Sequence, residues 1–388
     1  MGHKPAPQQE AAKDEQPHFN SCYGSGQPMS APPPDSLPPV LGPAEIERAT
    51  KNVASILEHA ILHQEEEAAI VVHDTQSELA RCLTQAYRRA LPEATFIDFD
   101  CTQQQTILAA FEILEPGDLV VLIQSTSFRL AAFRIRVELF QRSIKVIEHP
   151  HLARMPGVEG QVYVDSLAYD PDYYRGVGAA LKERLDRATQ VVIGSGVEPL
   201  IFPAGLEESC LNVGDYRQLQ NVGGQYPIGE VFSESRDLEQ VNGQVRIGVF
   251  ADTTFTVNKP ERPITLVVDA GRVTNVIDSN PAFDAVLASI REDEGEIWLR
   301  ELGLGMNRAF SLDRLVSDVG SFERMCGVHL SLGAKHHVYN KPNIRKRSAR
   351  QHVDVFVMTE SVRVDGEELY VNGAWVPGAP TAPGTQAP

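Results

Sequence analysis

Cysteine is scarce: Cys22, Cys82, Cys101, Cys210 and Cys326 are scattered through 388 residues, odd in number and without a CxxC spacing. That excludes a zinc ribbon, gives no disulfide framework and fits a reducing cytosol. No apolar run approaches the ~18–20 residues of a membrane span, and the N-terminus lacks the charged-then-apolar pattern of a secretion signal. Positive charge is also short, with 35 Lys and Arg against 52 Asp and Glu and a net charge of −17. Contact with nucleic-acid phosphates or anionic lipid needs a basic face, so neither is an expected partner. The expectation is a soluble, cytoplasmic protein acting on a small molecule or a short peptide.

What is present is 42% apolar content, enough for two domains with their own cores. Residues 1–43 and 378–388 are rich in Pro, Gln, Ser and Gly and read as disordered tails, because they bury too little to offset ordering entropy. From 44 onward "AEIERATKNVASILEHAILHQ" has helical spacing. The apolar runs 68–74, 95–100, 118–124 and 145–149 then alternate with helix-like stretches 77–90, 103–114 and 127–142. That rhythm predicts a parallel sheet with helical crossovers, and "TQVVIGS" (189–195) adds one more strand. The glycines of "VVIGSGVEP" do not complete a dinucleotide fingerprint, and Pro199 stands where the helix would start, so a tight turn is the reading. After about 205 the texture changes to alternating strands with turn dipeptides such as Asn242-Gly243 and Asp365-Gly366. The predicted fold class is α/β: a doubly wound parallel-sheet domain over 44–204, followed by a β-rich α+β domain over 205–377.

Four segments of the second half carry an acid or a histidine where an apolar residue would be cheaper. "NVGGQYPIGEVF" hands Glu230 to the start of a strand. In "EIWLRELGLGMN", Glu301 closes an apolar strand, and Gly303 and Gly305 leave room for close approach. "CGVHLSLGAKHHVY" places His329 inside a strand-like run. In "SARQHVDVFVM", alternation sends His352 and Asp354 to one face. Each alone is ordinary, since a strand histidine is usually a hydrogen-bonded core residue and a Glu after Gly usually a solvated turn. Together, Glu230, Glu301, His329, His352 and Asp354 are a donor set for divalent Zn, Mn, Co or Fe. Five such ligands exceed the usual three of a mononuclear catalytic site, whereas two ions bridged by a carboxylate would use them all.

"GGQYPIGEVF", "RELGLGMN", "GVHLSLG" and "QHVDVFV" resemble, in order and spacing, the hallmark segments of the thermophilic-type metallo-aminopeptidases (aminopeptidases T and S). The resemblance covers roughly 205–375 and is only architectural over 44–200. It implies that the five residues hold a dinuclear centre (Zn, Co or Mn), that Glu230 or Glu301 moves the proton of the attacking water, and that the protein is a homodimer. Two departures stand out. The family's Asp-Glu pair before the third-motif histidine is "SFER" here, with Phe322 and a shifted Glu323. The family's tyrosine seven residues after that histidine is His336 here, an extra ligand or a donor to a substrate oxygen, with Tyr339 close by as a further catalytic candidate. The architecture also resembles that of 2,5-dihydroxypyridine ring-cleaving dioxygenases, in which His329, His352 and Asp354 would hold one Fe(II). A non-catalytic metal-binding relative is the third reading. Finally, "NIRKRSAR" (343–350) is either a solvated basic loop or a grip, through Arg345, Arg347 and Arg350, on a substrate carboxylate.

Overall fold

Three of the four N-terminal apolar runs, 68–74, 118–124 and 145–149, become strands covered on both faces, which is why they read as continuous rather than alternating. The computed structural model describes residues 41–131, 133–334, 339, 341 and 351–377. In chain order it begins with α1 (Pro43–Ser55), β1 (Ala69–His73), α2 (Glu78–Ala90), β2 (Thr95–Asp98), α3 (Gln104–Glu112), β3 (Leu119–Ile123), α4 (Ile135–Gln141) and β4 (Lys145–His149). The strands pair in parallel, and β3, at the centre, is buried at every position. Ser77 starts α2 by accepting a hydrogen bond from the Ala80 N–H. The helix expected over 127–142 forms only from Ile135; before it the Gln124 side chain accepts the Phe128 N–H, and Ala131 takes a left-handed φ of +47°. The first helix starts at Pro43, with Leu41 buried ahead of it, inside the segment expected to be a loose tail.

Next come α5 (Val158–Ser166), α6 (Pro171–Arg187), β5 (Val191–Gly194), β6 (Leu200–Phe202), β7 (Cys210–Asn212), β8 (Gly223–Gln225), β9 (Glu230–Glu234), β10 (Gly243–Ala251), β11 (Val257–Asn258), β12 (Ile264–Asp269) and β13 (Arg272–Ile277). The chain continues through α7 (Pro281–Glu294), β14 (Leu299–Gly305), α8 (Val319–Phe322), β15 (Gly327–Gly333), β16 (His352–Val357), β17 (Ser361–Val364), β18 (Glu367–Val371) and β19 (Ala374–Trp375).

Two placements differ from the sequence expectation. β5 does not extend the parallel sheet; it pairs antiparallel with β17 and β6, in the order β19-β18-β17-β5-β6. An apolar run does not reveal its partner, and here the partner lies some 170 residues downstream. The Gly194–Gly196 turn therefore leads to a hairpin strand rather than to a helix. Conversely, the glycine-rich β8 is the fifth strand of the parallel sheet, whose order is β2-β1-β3-β4-β8. Sheets are thus shared across residue 205. The largest sheet, nine-stranded and antiparallel, runs β13-β12-β10-β16-β15-β14-β9-β7 with β11 beside β10. Among the described residues, no helix is long and apolar enough to cross a membrane.

Gly223 shows why a weak strand former sits at this edge. Its φ is +101°, and a Cβ there would lie 1.9 Å from the Val146 carbonyl oxygen. Gly223→Ala is expected to cost about 1–3 kcal/mol, read as a lower urea midpoint at unchanged m-value.

Candidate metal centre

Four neighbouring strands of the antiparallel sheet build the site by register. Gly305 faces Glu230 across β14 and β9, Gly303 faces His329 across β14 and β15, and Ser331 faces Asp354 across β15 and β16. Alternation along each strand then turns Glu230, Glu301, His329 and Asp354 to a common face. The glycines supply the space. A Cβ on Gly303 would sit 2.0 Å from the His329 ring, and one on Gly305 would sit 1.9 Å from the Met325 carbonyl oxygen. The Ser331 hydroxyl accepts the Glu301 main-chain N–H at 3.0 Å, which fixes the strand carrying that carboxylate.

Glu230, Glu301 and His329 are buried and converge, with one donor atom of each within 4.8 Å of the others. His329 Nε2 lies 3.0 Å from Glu230 Oε1 and 3.5 Å from Glu301 Oε1. Asp354 is buried too. Its Oδ1 is 3.2 Å from His352 Nε2, and His352, with 34% of its side chain exposed, turns Nδ1 to the Ala334 carbonyl at 3.1 Å. The structure thus arranges the five predicted ligands as a group of three and an adjacent pair.

Two residues beside them were not assigned from sequence. Arg324 Nη1 lies 2.6 Å from Glu230 Oε2 and 3.0 Å from Glu323 Oε2, so the "SFER" segment places an acid and a cation against the cluster. The only sequence signal was an acid six residues ahead of the strand histidine. Tyr339 directs its hydroxyl at the main-chain carbonyls of Glu208 (3.0 Å) and Phe232 (3.2 Å). His336, Arg345, Arg347 and Arg350 lie outside the described residues.

Crowded acids and bases shift one another. Burial disfavours charge on His329, but hydrogen bonding and charge from Glu230 and Glu301 outweigh it and hold the imidazole up at about 10. Asp354 is likewise opposed by burial, yet the charge and hydrogen bond of His352 hold it at about 2. Burial pushes Glu301 up and Glu323 well up, the latter with added repulsion from Asp354. Arg324 reverses the effect of burial on Glu230 and keeps it low. Glu301 Oε2 and His329 Nδ1 are buried without a hydrogen-bond partner among the described residues. A carboxylate-rich set with such atoms fits a hard-to-borderline divalent cation.

No protein-family profile matches the chain, and no curated protein matches it. Solved structures do. The 2,5-dihydroxypyridine dioxygenase of Pseudomonas putida KT2440 superposes with a TM-score of 0.57 at 14% identity, over 85% of this chain and 97% of that one. AmpT of Thermus thermophilus superposes with a TM-score of 0.52 at 13% identity, over 85% and 99%. The class defined by these likenesses is a fold: a mixed α/β chain with a five-stranded parallel sheet and antiparallel sheets.

Two outcomes follow from the geometry. Gly303→Ala should displace the His329 ring and weaken Zn²⁺ or Mn²⁺ binding, measured by titration calorimetry, by about 10–100-fold. Metal uptake should also release protons, because His329 and His352 hold theirs to about pH 10 in the metal-free protein. Apparent affinity should therefore rise with pH between 6 and 9, by up to about tenfold per unit for each proton displaced.

Proposed function

We propose that the protein is a metal-dependent hydrolase of aminopeptidase type, cleaving an N-terminal peptide bond or a related amide at a two-ion centre. The observation that carries this reading is the division of the donors. Glu230, Glu301 and His329 form one converging group, and His352 with Asp354 forms a neighbouring pair. Such an arrangement suits two adjacent cation positions better than a single facial triad of His329, His352 and Asp354. Bound divalent ions would supply Lewis-acid polarisation of the scissile carbonyl and a water of lowered pKa.

The chain's own groups supply the rest. Arg324 keeps Glu230 anionic and fixes its orientation, leaving Oε1 toward His329. Glu301, pushed up by burial, is the carboxylate placed to take the proton of the attacking water. Glu323, pushed well up, holds its proton at Asp354 and is placed to hand one to a departing amine. The second reading, a mononuclear Fe(II) dioxygenase acting on a hydroxypyridine-like aromatic, draws on the His352–Asp354 adjacency and the fold shared with the Pseudomonas putida enzyme.

Elemental analysis of the native protein is expected to find two divalent ions per chain, with release of p-nitroaniline from aminoacyl p-nitroanilides. Asp354→Ala should lower the metal content and cut kcat/KM by more than the roughly 100-fold that loss of an outer-shell partner costs. One iron per chain with O₂ uptake on a dihydroxypyridine would replace this reading by the second.

A further inference from the structure

A second constellation lies at the carboxyl edge of the parallel sheet and uses none of the metal-centre residues. Ser127 is exposed on the loop after β3, and His151 follows β4, the neighbouring strand. Ser127 Oγ and His151 Nε2 are 2.8 Å apart. On the other side of the ring, His151 Nδ1 is 3.4 Å from Asp318 Oδ1. Asp318 is 3% exposed and is itself fixed, accepting a hydrogen bond from the Ser321 hydroxyl at 3.0 Å and lying 3.4 Å from Arg154 Nη1. His151 is partly exposed, so the three groups run from a buried acid, through an imidazole, to a hydroxyl in solvent. The plainer use of these contacts is to tie the β3 and β4 loops to the segment before α8. That use does not require a serine at Nε2 and a buried acid at Nδ1, whereas nucleophilic activation does.

We propose that Ser127, His151 and Asp318 form a metal-independent acyl-transfer site for small acyl esters. With its Nδ1 proton directed at Asp318, His151 presents Nε2 as base. Ser127 Oγ bonds to the acyl carbon while its proton passes to Nε2 and the carbonyl electron pair moves onto oxygen. The tetrahedral species then collapses, the ester C–O bond breaks, and the leaving alkoxide takes the proton from His151. Water repeats the sequence on the acyl-serine, so an ester and water give an acid and an alcohol with no redox change. The main-chain N–H groups of Ser127 and Arg129 have no acceptor among the described residues, and the proposal takes them as the donors to the oxyanion. At 3.4 Å the His151–Asp318 contact is long, as such contacts often are before a substrate is bound.

The test is labelling of the intact full-length protein with a fluorophosphonate probe, which forms an Oγ–P bond with loss of fluoride, followed by peptide mapping. Label is expected on Ser127 and absent from Ser127→Ala. His151→Gln should slow it by about 100-fold or more, and Thr126→Ala should leave it unchanged. Asp318 is the positioning residue: Asp318→Asn should slow labelling at an unchanged melting midpoint, and Asp318→Glu should recover part of the rate. Absence of label from Ser127, or an unchanged rate in His151→Gln, overturns the proposal. Equal rates in Asp318→Asn and the parent remove Asp318 from it.

Discussion

The structure of the candidate centre depends on the repulsion among four carboxylates gathered on one sheet face. Glu230, Glu301, Glu323 and Asp354 all feel one another's charge, and three of them are buried. In a medium of low effective dielectric such a group cannot remain fully ionised without cations. Arg324 provides one permanent positive charge, and protons on His329, His352 and Glu323 provide relief that a divalent ion can replace. The cost of holding these groups together is met by the rigid ladder β9-β14-β15-β16 and the apolar core on its opposite face, where Val328, Leu330, Leu332, Val353 and Val355 are all buried.

Much of this was legible in the sequence, for reasons that differ from residue to residue. The crossover rhythm was readable because buried parallel strands must be apolar throughout. His352 and Asp354 were readable because period-two alternation places both on one face, and Glu301 because the glycines after it announce close packing. Gly303 and Gly305 do admit such approaches, one to an imidazole and one to a main-chain carbonyl. Partner choice was not readable. β5 is as apolar as any strand of the parallel sheet, and β8, with two glycines, has almost no strand signal. Tyr339 looked relevant by its distance along the chain from His329, but its hydroxyl is spent on carbonyls of the β7–β9 side. Glu323 and Arg324 sit in a loop, where no periodicity tells which way a side chain turns.

The Ser127–His151–Asp318 array lay beyond sequence reading for a stronger reason. Its members are separated by 24 and 167 residues along the chain, and only the adjacency of β3 and β4 brings the first two together. Open α/β sheets collect polar side chains at their carboxyl ends because the apolar strands end there and the loops begin. The same edge holds Asp74, which accepts hydrogen bonds from both the main chain and the hydroxyl of Ser125 and so fixes the start of the loop that carries Ser127.

Arg324 also bears on how the proposed two-ion centre would fill. In the metal-free protein Arg324 and the protons on His329 and His352 offset the charges of Glu230, Glu301 and Asp354, so an entering divalent ion must displace protons. Under the two-ion reading, Arg324 opposes a cation most directly at the converging group of Glu230, Glu301 and His329, because Glu230 is the carboxylate it touches at 2.6 Å. The position at Asp354 and the part-exposed His352 is the one more open to solvent and to exchange. An arginine bound to a ligand carboxylate thus grades two otherwise similar sites, and a neutral residue in its place would make them more nearly equal.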